Sequence, residues 1–138
     1  MKWYLAGPMN GIPQYNIPAF DAAAAHLRAA GHEVFSPAEL DSPAVREAAL
    51  ASPDGLAGSN IAGETWGDML ARDVKLISDA VGGIIFLPTW DRSRGARLEA
   101  FVGLLTGKVF AYYDRSSGTG IYHISADQVR RAIRENMP

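Results

Sequence analysis

The sequence of 138 residues contains no cysteine, and its net charge at pH 7 is only −2. Without cysteine the chain forms no disulfides and has no thiolate chemistry. A charge this close to zero gives no general attraction to nucleic acid polymers or anionic membranes, so phosphate must be recognised locally. No segment has the roughly 18 unbroken apolar residues of a membrane span. Met1-Lys2 leads directly into an apolar run and lacks a signal-peptide layout, so we expect a cytoplasmic protein.

Two phosphate-binding signatures are also missing. The sequence has no Gly-x-x-x-x-Gly-Lys loop, and no Gly-x-Gly-x-x-Gly follows its first apolar run. Sites for nucleoside triphosphates and dinucleotides are therefore not expected. The three histidines, His26, His32 and His123, do not have the spacing of metal ligands, and we predict neither a metal nor another cofactor.

Apolar runs alternate with helical patterns along the chain. Strands are predicted at 3–6, 32–36, 81–88 and 108–113, and helices at about 17–30 (capped by Asn16), 65–79, from 94 to 105 and after Ser125. Such alternation is typical of parallel sheets with right-handed crossovers. We predict a single α/β domain over residues 1–138. Its doubly wound parallel sheet would have four to five strands, in order 2-1-3-4 with a short fifth strand, in a flavodoxin- or Rossmann-like three-layer αβα arrangement.

Residues 41–64 differ from the rest of the chain. They are rich in Ala, Gly, Ser and Pro and have little periodicity, apart from a short helix predicted at 45–51. Long irregular segments in compact domains are often functional loops. We interpret 41–64 as an irregular insertion that acts as a lid, with a disordered segment of no function as the alternative.

Two carboxylates stand in apolar surroundings. Asp73 falls near the middle of the apolar face of its helix, where an ionised side chain is costly unless it is hydrogen-bonded, paired or open to a cleft. Glu99 flanks a predicted inward face formed by Leu98, Phe101, Val102 and Leu105. The start of that helix favours the ionised form of Glu99, and Gly95 and Gly103 are expected to leave its carboxylate accessible.

The predicted topology brings these carboxylates towards one crevice. In doubly wound sheets, ligands bind at the carboxyl ends of the strands where the strand order reverses. There the loop 7–11, which begins at Gly7, meets the loop 89–95. Ser93, Arg94 and Gly95 begin a helix whose free amides favour an anion such as phosphate. A pair of carboxylates beside an anion site is typical of glycosidic bond cleavage.

Several motifs together resemble the nucleoside 2-deoxyribosyltransferase-like superfamily, and in particular its small branch of phage- and bacteria-associated proteins with a Tyr-Leu-Ala-Gly-Pro-Met start. The matching motifs, in order, are Tyr4-Leu5-Ala6-Gly7-Pro8, Arg72-Asp73, Leu87-Pro88 with Trp90, and Ser93-Arg94-Gly95-Ala96 with Glu99. Members split the N-glycosidic bond of a nucleoside or its 5′-monophosphate with a glutamate nucleophile. The resemblance implies that Glu99 is the nucleophile, that Asp73 is the acidic partner near the base and that Tyr4 positions the glutamate.

The residue six positions before the glutamate separates two branches of that superfamily. Transferases have an aspartate there, which binds the sugar 5′-hydroxyl, and nucleotide hydrolases have a serine, which binds a 5′-phosphate. This chain has Ser93, so we expect a nucleoside 5′-monophosphate N-glycosidase. Asp91 is close enough in sequence to take the hydroxyl-binding role, which leaves a transferase of unphosphorylated nucleosides as an alternative.

The resemblance also suggests a base pocket and an assembly. Met9 and Asn10 are expected to line the pocket, and Trp90, in the loop at a strand end, to stack on the base. Trp66 is interpreted as a core residue, because it lies on the apolar face of its helix. The implied partners are a small-molecule nucleotide or nucleoside and further copies of the chain, as a homodimer or higher homo-oligomer.

Two alternatives belong to other classes of protein. The same fold could bind a nucleotide without turning it over, since a fold does not determine an activity. Asp73 could also be structural and merely pair with an arginine. The identity of the base, the choice between ribose and deoxyribose, and the choice between water and a second base as acceptor are open at this point.

Overall fold

The computed structural model describes residues 1–56, 60, 61 and 63–137. Its strands are β1 (Lys2–Ala6), β2 (Glu33–Phe35), β3 (Asn60–Ile61), β4 (Glu64–Thr65), β5 (Gly83–Phe86), β6 (Val109–Tyr113) and β7 (Ile121–Ile124). Its α-helices are α1 (Ile17–Ala29), α2 (Pro37–Leu40), α3 (Pro43–Leu50), α4 (Trp66–Ala80), α5 (Arg94–Leu105) and α6 (Ala126–Glu135). Short 3-10 helices cover Pro13–Asn16 and Trp90–Arg92.

Five strands form the main sheet in the order β2-β1-β5-β6-β7. The first four are parallel, and β7 runs antiparallel to β6. The strand order therefore reverses between β1 and β5, where Tyr4 pairs with Ile84. The predicted α/β class, the parallel order and the short fifth strand are confirmed. The strands β3 and β4 form a separate antiparallel pair.

Helices cover both faces of this sheet because strand side chains alternate. From β1, Trp3 and Leu5 point into a core shared with α1, whose contribution includes Phe20. Tyr4 and Ala6 point into a second core, shared with α4, α5 and α6. This is the predicted three-layer arrangement. It directs the Tyr4 hydroxyl towards α4 and α5, and not towards α1.

Helix α5 packs with the opposite face from the one predicted. Its buried residues are Ala96, Glu99, Ala100 and Gly103. A Cβ atom on Gly103 would lie 2.7 Å from Ile84 Cδ1, so the helix axis lies close to β5. Only small side chains fit such a close approach, and the predicted inward residues Phe101 and Leu105 are instead 49% and 71% exposed.

The segment 41–64 is more ordered than the irregular insertion that we predicted. Helix α3 buries Val45 and Ala49. The turn after it is bound through the main chain to the first loop, residues 7–16 between β1 and α1. Gly11 N donates to Gly55 O (3.0 Å) and Gln14 N to Ser52 O (2.9 Å). The described part of the segment is thus a packed wall of the domain. Residues 57–59 and 62, on which the lid interpretation also depends, lie outside the described residues.

The predicted N-termini of two helices are confirmed, whereas the predicted cap of a third helix is not. Thr65 with Asp68, and Ser125 with Gln128, form reciprocal capping boxes at α4 and α6. Asn16 precedes α1 as predicted, but it does not cap the helix. Its backbone is left-handed (φ 61°), and its Nδ2 atom donates to the Pro8 carbonyl at 2.9 Å. The side chain therefore holds the first loop.

The contact at Gly103 gives a test of this packing. Gly103→Ala is expected to lower the free energy of unfolding by about 1–3 kcal/mol, because the added methyl group overlaps Ile84 and Phe110. Gly67→Ala on α4 is the control, since nothing lies closer than 3.8 Å to its added Cβ. That variant should be neutral or more stable by up to about 1 kcal/mol. Urea unfolding measures both, and an equal effect of the two substitutions would contradict the packing.

Candidate active site

A cavity of about 110 Å³ opens beside the loop after β1 and the start of α5, and β1 is one of the two strands between which the strand order reverses. A single water needs only about 10–15 Å³, so the cavity has room for a larger group. Most of the predicted site residues line it: Tyr4, Gly7, Met9, Asn10, Asp73, Ser93, Gly95 and Glu99. The remaining lining residues were not predicted as site residues: Tyr15, Pro37, Asp41, Val45, Ala49, Glu64, Trp66, Met69, Leu70, Arg72 and Ala96.

Trp90 and Asp91 do not line this cavity. Thr89 has a left-handed backbone (φ 62°), and the chain turns sharply after β5 into a 3-10 helix. Trp90 is only 4% exposed and stacks on Phe86 with ring centroids 4.0 Å apart. The Asp91 carboxylate accepts a hydrogen bond from Asn136 Nδ2 at 3.2 Å. The Trp90 ring therefore belongs to the core and does not face this cavity, and its base-stacking role stays a prediction.

Trp66 occupies the position that we had expected for Trp90. It is the first residue of α4, where the helix meets the cavity, and it is 39% exposed. The prediction that it is a core residue is wrong. Arg94, the first residue of α5, lies outside the cavity lining, with its guanidinium 5.4 Å from the centre of the Trp66 ring. The two helix starts thus place a cation–π pair beside the cavity.

Three side chains from three elements meet at the cavity floor. Glu99 and Asp73 are 6% and 7% exposed, and Tyr4 is fully buried between them. The Tyr4 hydroxyl donates a hydrogen bond to Glu99 Oε2 and also has a hydrogen-bonding contact with Asp73. The carboxylate pair that the sequence predicted from two separate helices is therefore joined by one phenol.

Arg72 and Asp41 complete this cluster. Arg72 Nε donates to Asp73 Oδ1 at 2.9 Å, and its Nη1 donates to Asp41 Oδ1 at 2.8 Å. Asp73 is therefore paired with an arginine, the contact that the structural alternative required. Sequence reasoning noted Arg72 only as part of a motif, and it missed Asp41. Neighbouring residues on a helix point in different directions, so the sequence does not show that the Arg72 side chain bends towards Asp73.

The electrostatics of the pair depart from the sequence expectation. Burial raises the pKa of Glu99 to about 8, and the charge of Asp73 adds to this, while Tyr4 and Arg72 oppose it. Burial also raises the pKa of Asp73, against the lowering effects of Arg72 and Tyr4. At neutral pH, Glu99 therefore carries a proton. The start of α5 does not keep it ionised, because loss of water outweighs a helix dipole beyond the first turn.

The start of α5 forms the other end of the cavity. Ser93 is the N-cap, and its Oγ accepts a hydrogen bond from Ala96 N at 3.2 Å. Arg97 N donates to the Ser93 carbonyl, so the amides of Arg94 and Gly95 are the first-turn donors left for a ligand. A Cβ atom on Gly95 would have no neighbour nearer than Ser93 Oγ at 3.9 Å, so the approach is open.

The first loop supplies a wall that the sequence did not indicate. Gln14, Tyr15 and Asn16 all have left-handed backbones, with φ between 52° and 61°. Such conformations cost about 1–2 kcal/mol per residue outside glycine. Gln14 Nε2 donates to the Leu50 carbonyl at 3.1 Å, which ties the turn to α3. The turn buries Tyr15 at the cavity, where no local sequence signal would have placed it.

Comparison with known families assigns the chain to a group. A family model matches residues 1–112, a range that includes every residue of the cavity lining. The chain belongs to the family described as "Domain of unknown function (DUF4406)". The family match ends before β7 and α6, so it covers the part of the fold that builds the cavity. Searches of curated proteins and of solved structures found no match.

The described residues lack two further classes of feature. Within 1–56, 60, 61 and 63–137, no helix is long and apolar enough to span a bilayer. The same residues contain no cluster of three or more His, Cys, Asp or Glu side chains arranged for a metal ion.

The buried proton on Glu99 predicts a pH-dependent stability. Between the ordinary pKa of 4.5 and the folded-state value of about 8, the folded protein holds a proton that the unfolded chain releases. The free energy of unfolding therefore falls as the pH rises through this range. Glu99→Gln removes the effect, so its stability relative to wild type should increase by a few kcal/mol, roughly, from pH 5 to pH 9. Urea unfolding at each pH measures this.

Glu47→Gln is the matched control, because Glu47 is exposed on α3. Its stability relative to wild type should not change with pH. A difference between Glu99→Gln and wild type that is constant from pH 5 to pH 9 would contradict a buried, protonated Glu99.

Proposed function

We propose that this protein cleaves the N-glycosidic bond of a nucleoside 5′-monophosphate, with Glu99 as nucleophile and Asp73 as acid partner. The observation that carries the proposal is the buried pair of carboxyls, joined by Tyr4, on the floor of a cavity whose other end is the start of α5. The resemblance to the nucleoside 2-deoxyribosyltransferase-like superfamily rests on these same residues. It supports the assignment of their roles.

The chemistry follows from two carboxyls with different tasks. The Glu99 carboxylate attacks C1′ of the sugar and forms a bond to it, while the electron pair of the C1′–N bond passes to the base. Asp73 donates a proton to the leaving base, a contribution typically worth about 10²- to 10⁴-fold in rate. Water, or the nitrogen of a second base, then attacks C1′ and frees Glu99. Positive charge that develops on the sugar is stabilised by the negative Glu99 carboxylate in this buried site.

The charges of the cavity lining favour one end of the cavity for the phosphate. Asp41, Glu64, Asp73 and Glu99 line the cavity, so most of its wall repels an anion. The exception is the start of α5, where the Ser93 hydroxyl, the amides of Arg94 and Gly95 and the helix dipole all favour one. The phosphate is therefore assigned to this end. The base lies towards Trp66, whose ring is part of the wall.

The position of Asp91 argues against the alternative substrate. A transferase of unphosphorylated nucleosides would use a carboxylate near Ser93 to bind the 5′-hydroxyl. Asp91 lies outside the cavity lining and is hydrogen-bonded to Asn136. This favours the phosphorylated substrate. Calorimetry distinguishes a non-catalytic nucleotide-binding module, which would bind the same ligands without releasing a base.

The exposed apolar residues of α5 support the homodimer that the resemblance implies. Leu98, Phe101 and Leu105 lie on one side of the helix and are 38% to 71% exposed. Exposed apolar groups of this kind mark protein interfaces when they are contiguous. We infer that a second copy of the chain covers this side of α5, the helix that carries Glu99.

Base release is the direct test of the proposed reaction. Wild-type protein is expected to liberate free base from at least one member of a panel of ribo- and deoxyribonucleoside 5′-monophosphates, measured by liquid chromatography. Glu99→Gln should lower this rate by at least ~10²-fold, because the amide is a poor nucleophile. Glu47→Gln should retain the wild-type rate. Release from no nucleotide, or an unchanged rate with Glu99→Gln, would refute the reaction.

Ser93→Asp tests the phosphate site separately. Aspartate is as good an N-cap as serine, so α5 should form as before. The new negative charge is expected to raise KM for the monophosphate by at least about tenfold, since repulsion by a like charge costs on the order of 1 kcal/mol or more at this distance. KM for the corresponding nucleoside should change little. An equal effect on both substrates would show that the phosphate binds elsewhere.

A further inference from the structure

The Tyr4 hydroxyl is in hydrogen-bonding contact with both carboxyls of the pair. A side chain that only oriented Glu99 would have no need to reach Asp73. Tyr4 is completely buried on β1, between α4 and α5, so solvent does not compete for its hydroxyl. The Tyr4 hydroxyl therefore lies between the two carboxyls, hydrogen-bonded to Glu99 and interacting with Asp73.

The pair holds its proton on the wrong carboxyl for the proposed reaction. Cleavage needs an ionised Glu99 and a proton on Asp73. The guanidinium of Arg72 donates to Asp73 at 2.9 Å and stabilises its ionised form, so the proton stays on Glu99. The other ionisable side chains of the described cavity lining are Tyr15, Asp41 and Glu64. Asp41 and Glu64 are acidic and favour retention of one proton by the pair.

We propose that Tyr4 relays this proton from Glu99 to Asp73 when substrate is bound, an inference that rests on the proposed glycosidase reaction. The Tyr4 hydroxyl first turns its hydrogen from Glu99 Oε2 to Asp73. The Glu99 carboxyl then gives its proton to the Tyr4 oxygen while the Tyr4 hydroxyl proton passes to Asp73. Tyr4 is a phenol before and after the step, Glu99 becomes the nucleophilic carboxylate and Asp73 becomes the acid. No proton is gained or lost by the site.

The relay is an exchange and not an ionisation of Tyr4. Burial and the two neighbouring carboxyls raise the pKa of Tyr4 well above its ordinary value, so a free phenolate does not form. The hydroxyl releases one proton only as it receives another. After the base departs, Asp73 takes a proton from the attacking water, and the same path returns it to Glu99.

The test uses leaving groups that differ in their need for a proton. The probes are dGMP and dAMP and their N7-methylated forms, whose bases are already positively charged and leave without protonation. Tyr4→Phe, which keeps the buried ring, is expected to lower release of the unmodified bases by about 10²-fold or more and of the methylated bases by less than about tenfold. Asp73→Asn should show the same selectivity. The double variant should be no slower than either single variant, because the two residues act as a unit.

A second measurement uses wild-type protein alone and follows base release as a function of pH. As the pH rises through about 8, the pair loses its single proton. Release of the unmodified bases should then decline, since no acid is left, while release of the methylated bases should rise, since Glu99 is ionised. The relay is overturned if Tyr4→Phe slows both kinds of substrate equally, which would make Tyr4 only a positioning residue for Glu99, or if both pH profiles have the same shape. If wild type releases neither kind of base, the proposed function itself fails.

Discussion

The close packing of α5 on β5 determines most of what this protein presents to a ligand. Ala96, Ala100 and Gly103 allow the helix to approach the sheet, and this approach carries Glu99 down to the Tyr4 hydroxyl. A larger residue on this face would lift the helix, and Glu99 would then lie in water with an ordinary pKa. The helix that supplies the proposed nucleophile is therefore shaped by the residues that have almost no side chain.

The same burial places several acidic side chains close together, and the surrounding residues compensate for their negative charge only in part. Asp41, Asp73 and Glu99 are acidic and lie close to one guanidinium, that of Arg72. One cation does not neutralise three carboxylates, and a buried unpaired charge is strongly destabilising. The cluster therefore retains a proton. Such an arrangement lowers the stability of the fold at high pH and is suited to proton transfer, as expected of a site tuned for chemistry.

The sequence predicted the sheet and the carboxyl pair because both depend on local pattern. Short apolar runs between helices predicted the strand order, and Asp73 was noticed because it interrupts an apolar face. Predictions failed where the position of a residue depends on how deeply its side chain is buried in the fold. Periodicity could not show that α5 turns Ala96 and Ala100 inward and Phe101 outward, since packing distance and not hydrophobicity decides that choice. Trp66 lies at the cavity, Trp90 lies in the core and Glu99 is protonated for the same reason, because each outcome depends on how deeply the side chain lies in the fold. The catalytic and binding roles remain predictions.

The first loop has a consequence for how the cavity could change. Its shape is held by the main-chain bonds from Gly11 and Gln14 to the turn after α3. Bonds of this kind do not depend on which side chains the loop carries, and Asn10 is an exposed residue that lines the cavity. Substitutions at Asn10 would alter the shape and polarity of the pocket while the carboxyl pair stayed in place. The cavity wall at Asn10 is thus open to evolutionary change independently of the carboxyl cluster beneath it.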